Sequence, residues 1–235
     1  MDSHNRIILQ VANKVFSPVG FFQKGKSRTW LYDCGYCFVQ VEFQPSAYSR
    51  GSFCNVGISF LFEYFGALNE TLAFDYGRKR ITINDAQFVE YNNDDEIFEK
   101  QIFQLAQCAL KYAKELMRFK SLKCANRCMS KLIFKKRLKE MLGKWNGPIF
   151  DYYDAAMIKF LVGDFNEGVR LIKKLNNLNL DGSLGNWATH CYTEFCQNDI
   201  TIEIAREKVC SMVNVRRKYF KQKGSFKKMP ELIFN

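Results

Sequence analysis

The sequence predicts an α+β fold in which an N-terminal helix packs on an antiparallel meander sheet and an α-helical half follows. Residues 37–43 and 54–62 alternate apolar with more polar side chains, which is the period of two of half-buried strands. Beyond residue 95, apolar side chains recur every three or four positions, which is the period of amphipathic helices. This shift predicts a sheet domain over residues 1–95 and a helical domain or extension over residues 96–235.

The N-terminal helix is predicted from a single apolar face. Ser3 is placed to cap its first turn, and Pro18 and Gly20 are placed to end it. The side chains that share the face are Ile7, Ile8, Val11, Ala12, Val15 and Phe16. We expect this face to pack on the sheet.

Three strands make up the predicted meander, at residues 29–32, 37–43 and 54–62. Gly35 lies in the first turn, where a positive φ is required. Residues 44–52 have the composition of a turn and the length of a loop. Shorter strands are predicted at residues 78–83 and 87–91, after an irregular excursion over residues 64–77.

The same region carries three motifs in a fixed order, GF-x-x-KG-x-SRTW, VQVEFQPS-x-Y and F-x-NVGISF. In these motifs the chain resembles a bacterial family of small proteins known as a domain of unknown function. The resemblance covers about residues 5–90. It implies an α+β domain, and it implies no catalytic role for any residue.

Two long amphipathic helices open the second half, the first over residues 97–116. The second carries apolar side chains at Leu122, Ala125, Met129, Leu132, Ile133, Leu138, Met141 and Leu142. Gly143 to Pro148 then breaks the helical pattern.

Residues 150–162 and 165–177 form a predicted helical hairpin across Gly163 and Asp164. Asp164 and Glu167 have the spacing of a capping box. The hairpin resembles one tetratricopeptide unit, in which an Ala and a following Gly allow close helix packing. Because a stacked array needs about three units, an ordinary αα-hairpin is the alternative.

Two further helices are predicted, one around Trp187, Cys191 and Phe195 and one that Asp199 is placed to cap. A basic and aromatic tail follows over residues 216–228.

The net charge of +11 is concentrated in the helical half. Residues 1–100 hold 10 Lys/Arg against 12 Asp/Glu, whereas residues 101–235 hold 25 against 12. The asymmetry indicates an anionic partner, or else a solvated lysine-rich surface. If the partner is nucleic acid, the candidate contacts are Lys131, Lys135, Lys136, Arg137, Arg216, Arg217, Lys218 and Lys221.

Most enzyme classes lack support in this sequence. No P-loop, G-x-G-x-x-G, G-x-S-x-G or H-E-x-x-H string is present, and the only histidines are His4 and His190. Cys34 and Cys37 have C-x-x-C spacing, and Cys124 and Cys128 lie on one helix face. A structural role, a metal site and a redox pair all remain open for these cysteines. We predict no catalytic residue, no metal and no cofactor, with an unrecognised active site as an alternative.

The expected location is the cytoplasm. Residues 1–5 do not begin a signal peptide, no apolar run approaches the length of a membrane span, and nine cysteines at irregular spacing suit a reducing compartment.

The predicted function is that of a protein-interaction module, with an immunity-like or regulatory role, whose partner is another protein. Nucleic acid is the alternative partner, and no membrane association is expected. Polar and aromatic residues near the strand ends are the candidate binding residues: Lys24, Trp30, Gln44, Ser46, Tyr48 and Asn55.

Overall fold

The chain is α+β in a computed structural model, which describes residues 2–62, 71–143, 149–178, 180–197 and 199–222. An N-terminal helix precedes an antiparallel sheet, and helices make up the rest of the described chain. The helices are α1 Ser3–Phe16, α2 Asp95–Leu116, α3 Leu122–Met141, α4 Phe150–Val162, α5 Phe165–Asn176, α6 Gly182–Cys196 and α7 Ile202–Gln222. The strands are β1 Phe22–Gln23, β2 Thr29–Asp33, β3 Cys37–Gln44, β4 Gly51–Phe60, β5 Tyr76–Arg80 and β6 Phe88–Glu90.

The predicted meander is present as β2, β3 and β4. The described part of the sheet has the order β1-β2-β3-β4-β5, and β6 also pairs with β4. β5 pairs with β4 over residues 55–58, and β6 pairs with it over residues 51–53. β4 therefore has hydrogen-bonded neighbours on both of its edges.

Alternation along the strands gives the sheet one apolar face, which packs against α2, and α2 packs in turn against α1. Trp30 is fully buried here, and its Nε1–H donates to the Asn13 side chain at 2.9 Å. Phe16 and Phe43 pack around the Trp30 ring with centroid separations of 6.1 and 5.7 Å. The apolar face predicted for the first helix thus meets the sheet, as expected.

The helices after α2 form a series of neighbours, in which α4 packs against both α3 and α5, and α5 packs against α6. The predicted hairpin is present as α4 and α5. Gly168 lies where a Cβ would come within 2.4 Å of the Phe160 ring. A glycine at this position allows the two helices to approach closely.

Two of the three predicted helix caps differ from the structure. Asp2 precedes α1, and Ser3 is already helical. Asp164 is the N-cap residue of α5, as predicted, but its side chain makes no cap bond and instead accepts a hydrogen bond from Lys159 at 2.9 Å. Thr201, rather than Asp199, accepts the N–H of Ile204 at the start of α7.

Contacts divide the described residues into two compact units. The first contains residues 2–60, 71–118 and 220–222, and the second contains residues 61–62 and the described part of 119–219. The change from strand to helix occurs at Asp95, as the sequence indicates. However, α2 is grouped with the sheet, because its apolar side chains cover the sheet face.

None of the described helices combines the length and the apolarity that crossing a membrane requires. Three predicted features fall partly outside the described residues: the excursion at 63–70, the helix break at 144–148 and the end of the basic tail at 223–228.

Candidate interaction surface

Two of the predicted binding residues, Gln44 and Asn55, meet on the sheet. The Asn55 amide donates to Gln44 Oε1 at 2.9 Å. Arg80 donates to Asn55 Oδ1 at 3.2 Å and to Gln44 Oε1 at 2.9 Å, and its guanidinium lies 4.3 Å from the centroid of Phe53. The strand register produces this arrangement, since Asn55 of β4 faces Glu42 of β3 on one side and Arg80 of β5 on the other.

This network stabilises the sheet and does not form an open binding site. Asn55 is fully buried, and both its amide nitrogen and its amide oxygen are hydrogen-bonded. Buried polar groups that bond one another in this way are part of the sheet's internal structure.

The other four predicted residues do not join the network. Trp30 belongs to the core, and Lys24 pairs its backbone N–H with the carbonyl of Thr29 at 2.8 Å. Ser46 accepts the backbone N–H of Tyr48 at 3.1 Å, which is a turn-forming role. Tyr48 is 99% exposed at the tip of the β3–β4 loop.

The residues predicted for nucleic-acid contact are also separated by the fold. Lys131, Lys135, Lys218 and Lys221 are exposed. Lys136, Arg216 and Arg217 are buried, so these three do not lie on the solvated helix face that the prediction assumed. Arg137 is directed to Glu167 at 3.3 Å, and Arg216 donates to the carbonyl of Phe62 at 3.3 Å.

Lys136 is the centre of a buried ionisable cluster between α3 and α4. Its Nζ lies 3.1 Å from Asp151 Oδ2 and 4.7 Å from the centroid of Tyr152, whose hydroxyl donates to Glu140. Burial lowers the pKa of Lys136 and raises the pKa of Asp151, against the attraction between them. Burial and the bond to Glu140 raise the pKa of Tyr152.

The burial of Lys136 has a signal in the sequence that the prediction did not use. Ile133 follows Met129 after four residues and Lys136 follows Ile133 after three, and Met129 and Ile133 are both buried on α3. Lys136 therefore lies on the inner face of this helix, and its charge is matched there by Asp151.

The outer face of α3 carries apolar side chains in its last turns. Phe134 is 67% exposed and Met141 is 83% exposed, and Leu138 is exposed between them. Leu142 follows directly after the helix and is also exposed. The sequence pattern had grouped three of these residues with the buried apolar positions of the helix. However, at 3.6 residues per turn, Leu138 and Met141 point away from Met129 and Ile133.

Cations accompany these apolar side chains on the same outer face. They are Lys123, Arg127, Lys131, Lys135 and Lys139, and all five are exposed. Within the described residues, none of the five makes an ion pair, whereas Lys136 and Arg137 of the same helix each do. We call the exposed apolar side chains at 134, 138, 141 and 142, together with these five cations, the α3 outer face.

Burial disfavours the thiolate form of Cys37 and Cys191. Cys34 and Cys37 are buried in the β2–β3 turn, where the N–H of Cys34 donates to the carbonyl of Cys37 at 3.0 Å. Burial, with smaller effects from Cys34 and nearby carboxylates, raises the pKa of Cys37. Burial also raises the pKa of Cys191, next to the exposed His190, to about 12. Among the residues that the structure describes, no three potential ligands are grouped as a metal site would need.

A cleft of about 270 Å³ lies beside β6 and α2 in the first unit. Phe88, Glu90, Asn92, Gln101 and Gln104 are among its lining residues, and no His, Cys or Lys lines it. Amides and one carboxylate can hold a polar group there, but they do not form a nucleophile–base pair.

Comparison with known proteins adds no homologue: no protein-family model, no curated protein and no solved structure matches this chain.

Proposed function

We propose that this protein is a non-enzymatic protein-interaction module and that it binds a partner protein through the α3 outer face. The observation that carries the proposal is the row of four large apolar side chains left in solvent there. An immunity-like or regulatory role is consistent with such a module.

Leaving these side chains in water has a free-energy cost. Burying one Phe, Leu or Met side chain contributes about 1.5–3 kcal/mol. Single exposed apolar residues are common on protein surfaces, whereas a contiguous group at helical spacing is typical of an interaction site. A groove on a partner that receives positions 134, 138 and 141 uses the i, i+4, i+7 spacing of helix recognition.

Nucleic acid is the second candidate partner, and the five cations of the α3 outer face that lack ion pairs favour it. A phosphate backbone would contact the cations but would leave the aliphatic side chains of Leu138, Met141 and Leu142 unburied. We therefore rank a protein partner first. The nine cysteines, all free, support a reducing compartment and hence the cytoplasm as the proposed location.

The proposal is tested by affinity capture of the tagged chain after nuclease treatment, followed by mass spectrometry. We expect a stoichiometric protein partner that is retained by the wild type and lost with Leu138→Ser/Met141→Ser. Since both side chains are exposed, these substitutions should leave the fold intact.

The matched control is Ile204→Ser/Val215→Ser, which alters two exposed apolar side chains on α7 and should retain the partner. Equal capture by wild type and the α3 variant would overturn the assignment of the surface. If nuclease removes every captured component, the nucleic-acid alternative replaces the proposal.

A further inference from the structure

A stripe along the α3 outer face has a basic half followed by an apolar half, and the exposed Lys135 and Lys139 flank the apolar half. Lys123, Arg127 and Lys131 come first, and Phe134, Leu138 and Met141 follow. With 3.6 residues per turn, these six positions fall within an arc of about 80° on the helix. At a rise of 1.5 Å per residue, the line from residue 123 to residue 141 runs for about 27 Å, of which the apolar half from residue 134 occupies about 11 Å.

Among the described residues, no carboxylate forms an ion pair with the cations of the basic half. Glu140, the one acidic residue of α3, lies on the opposite side of the helix, where it accepts the Tyr152 hydroxyl and pairs with Lys174 at 3.2 Å. Exposed cations without partners attract an anionic surface and repel a cationic one.

The order of basic and apolar side chains along α3 distinguishes between the possible binding partners. In a two-fold contact with a second copy of the chain, the cations would lie against one another if the helices were parallel and against the apolar half if they were antiparallel, and both arrangements are unfavourable. A helix that lies in a membrane surface needs its apolar face along its whole length, with cations on the polar face. Here cations occupy the centre of the stripe over its first half. A bilayer that buried the apolar half would therefore bury these cations at the same depth.

We infer that the partner presents an acidic amphipathic helix that lies along α3, with its carboxylates on Lys123, Arg127 and Lys131 and its apolar side chains on Phe134, Leu138 and Met141. This inference rests on the proposed function and names the chemistry of the partner. The charged half fixes the direction in which the partner helix lies, and the apolar half supplies the buried area.

The contact is tested by placing a photoreactive benzoyl-phenylalanine at position 127 or at position 138 of the full chain. The variants are expressed in the cells that produce the protein, and the crosslinked segments are sequenced by mass spectrometry. We expect position 127 to crosslink to a segment rich in Asp and Glu, and position 138 to crosslink to apolar residues at helical spacing in the same segment.

A charge-reversal pair tests the electrostatic half separately. Lys123→Glu/Arg127→Glu should weaken capture about tenfold at about 0.1 M salt, and the difference should shrink at about 1 M salt, where charges are screened over about 3 Å. Arg206→Glu/Lys218→Glu reverses one exposed lysine and one exposed arginine on α7 and should leave capture unchanged. Thermal unfolding of each variant shows whether the fold is retained.

Different outcomes of these experiments contradict the inference alone or the inference together with the proposed function. A protein crosslinked at position 138 through a segment without an acidic cluster overturns the inference and leaves the interaction module standing. Crosslinks to lipid, to nucleic acid or to another copy of this chain overturn the inference and the choice of a foreign protein partner. The absence of any crosslink from both positions overturns both.

Discussion

At the scale of single residues, His4 is a buried imidazole that faces an arginine. It is 7% exposed, and its Nε2 accepts from Arg28 Nη2 at 3.4 Å. Its Nδ1 has no hydrogen-bond partner in the described part of the chain. Burial is the largest cause that lowers the pKa of His4, Arg28 adds to it, and Asp2 opposes it with a smaller effect. The folded protein therefore favours the neutral ring.

The pKa of His4 predicts a loss of stability in acid. Because the pKa of His4 in the folded state lies below the ordinary histidine value of 6.5, the unfolded chain binds the proton more readily. The contribution of neutral His4 is complete above about pH 6.5 and is lost as the pH falls through the lower folded value. Denaturant unfolding of His4→Gln between pH 7 and pH 5 should show a smaller loss than the wild type.

The control for this prediction is His190→Gln, because His190 is exposed. It should lose stability with falling pH as steeply as the wild type does. An unchanged pH dependence in His4→Gln would contradict the assignment of the effect to His4.

Substitutions of Lys136 and Asp151 should have non-additive effects on the free energy of unfolding. Their side chains are 2% and 13% exposed, so removing one partner leaves the other charge buried without its ion pair. We expect Lys136→Met to lower the free energy of unfolding by about 3–5 kcal/mol. Lys136→Met/Asp151→Leu should recover most of this loss, because an apolar pair can replace a buried ion pair.

A urea-unfolding cycle of the four proteins measures the coupling. If the double variant lost as much stability as Lys136→Met and Asp151→Leu lose together, the two side chains would not be coupled. Lys135→Met is the matched control, since this neighbouring lysine is exposed and should change stability by less than about 0.5 kcal/mol.

At the scale of elements, the close approach of α4 and α5 depends on Gly168. Its missing Cβ leaves room for the Phe160 ring, which would otherwise lie within 2.4 Å. Phe160 in turn stacks on Phe195 of α6, with ring centroids 5.0 Å apart. A change at Gly168 therefore acts on three successive helices.

We expect Gly168→Ala to destabilise the protein by about 1–3 kcal/mol, despite the higher helix propensity of Ala, because the added methyl group overpacks this contact. Phe160→Leu/Gly168→Ala should be less destabilised than the sum of the two single changes, since the smaller side chain relieves the clash. Thermal and urea unfolding measure both. A stabilised Gly168→Ala would show that the helices separate without cost.

The sequence predicted most elements where alternation or helical spacing is strong. β2, β3, β4 and the α4–α5 hairpin are confirmed, because each buries a regular apolar pattern. β1 was missed, since a strand of two residues has too few positions to show a period. The caps at Ser3 and Asp199 were misassigned because the position of a cap depends on which side chain reaches the free N–H groups, and a residue type alone does not determine this.

The candidate surface was predictable only in part. The excess of cations on α3 is visible in the sequence, but composition does not distinguish Lys135, which is exposed, from Lys136, which is buried. The exposure of Phe134 and Leu138 depends on which face of α3 packs against α4, and this is a property of the tertiary fold. The resemblance to a bacterial family of unknown function stays a prediction.

At the scale of the whole molecule, the net charge of +11 attracts polyanions of any sequence. Burial removes Lys136, Arg216 and Arg217 from the cations that a phosphate backbone can reach. The predicted contacts that remain exposed are Lys131 and Lys135 on α3 and Lys218 and Lys221 on α7. This spread suits weak electrostatic attraction more than recognition of a base sequence.

We expect a DNA duplex of random sequence to bind weakly and to be released as salt rises from about 0.05 M to about 0.2 M. Fluorescence anisotropy of a labelled duplex measures the effect. Lys218→Glu/Lys221→Glu should weaken this binding, and the charge-conserving Lys218→Arg/Lys221→Arg should preserve it. Binding that resists salt and depends on sequence would contradict the prediction and favour nucleic acid as the true partner.

The position of β4 has a consequence for amide hydrogen exchange. Nine of its ten residues are buried, and strands pair with it on both edges. Its amides should therefore exchange deuterium only when the sheet opens as a whole, which makes them the slowest reporters of the first unit. Their exchange rate shows whether a substitution on α3, which belongs to the second unit, leaves the sheet unit folded.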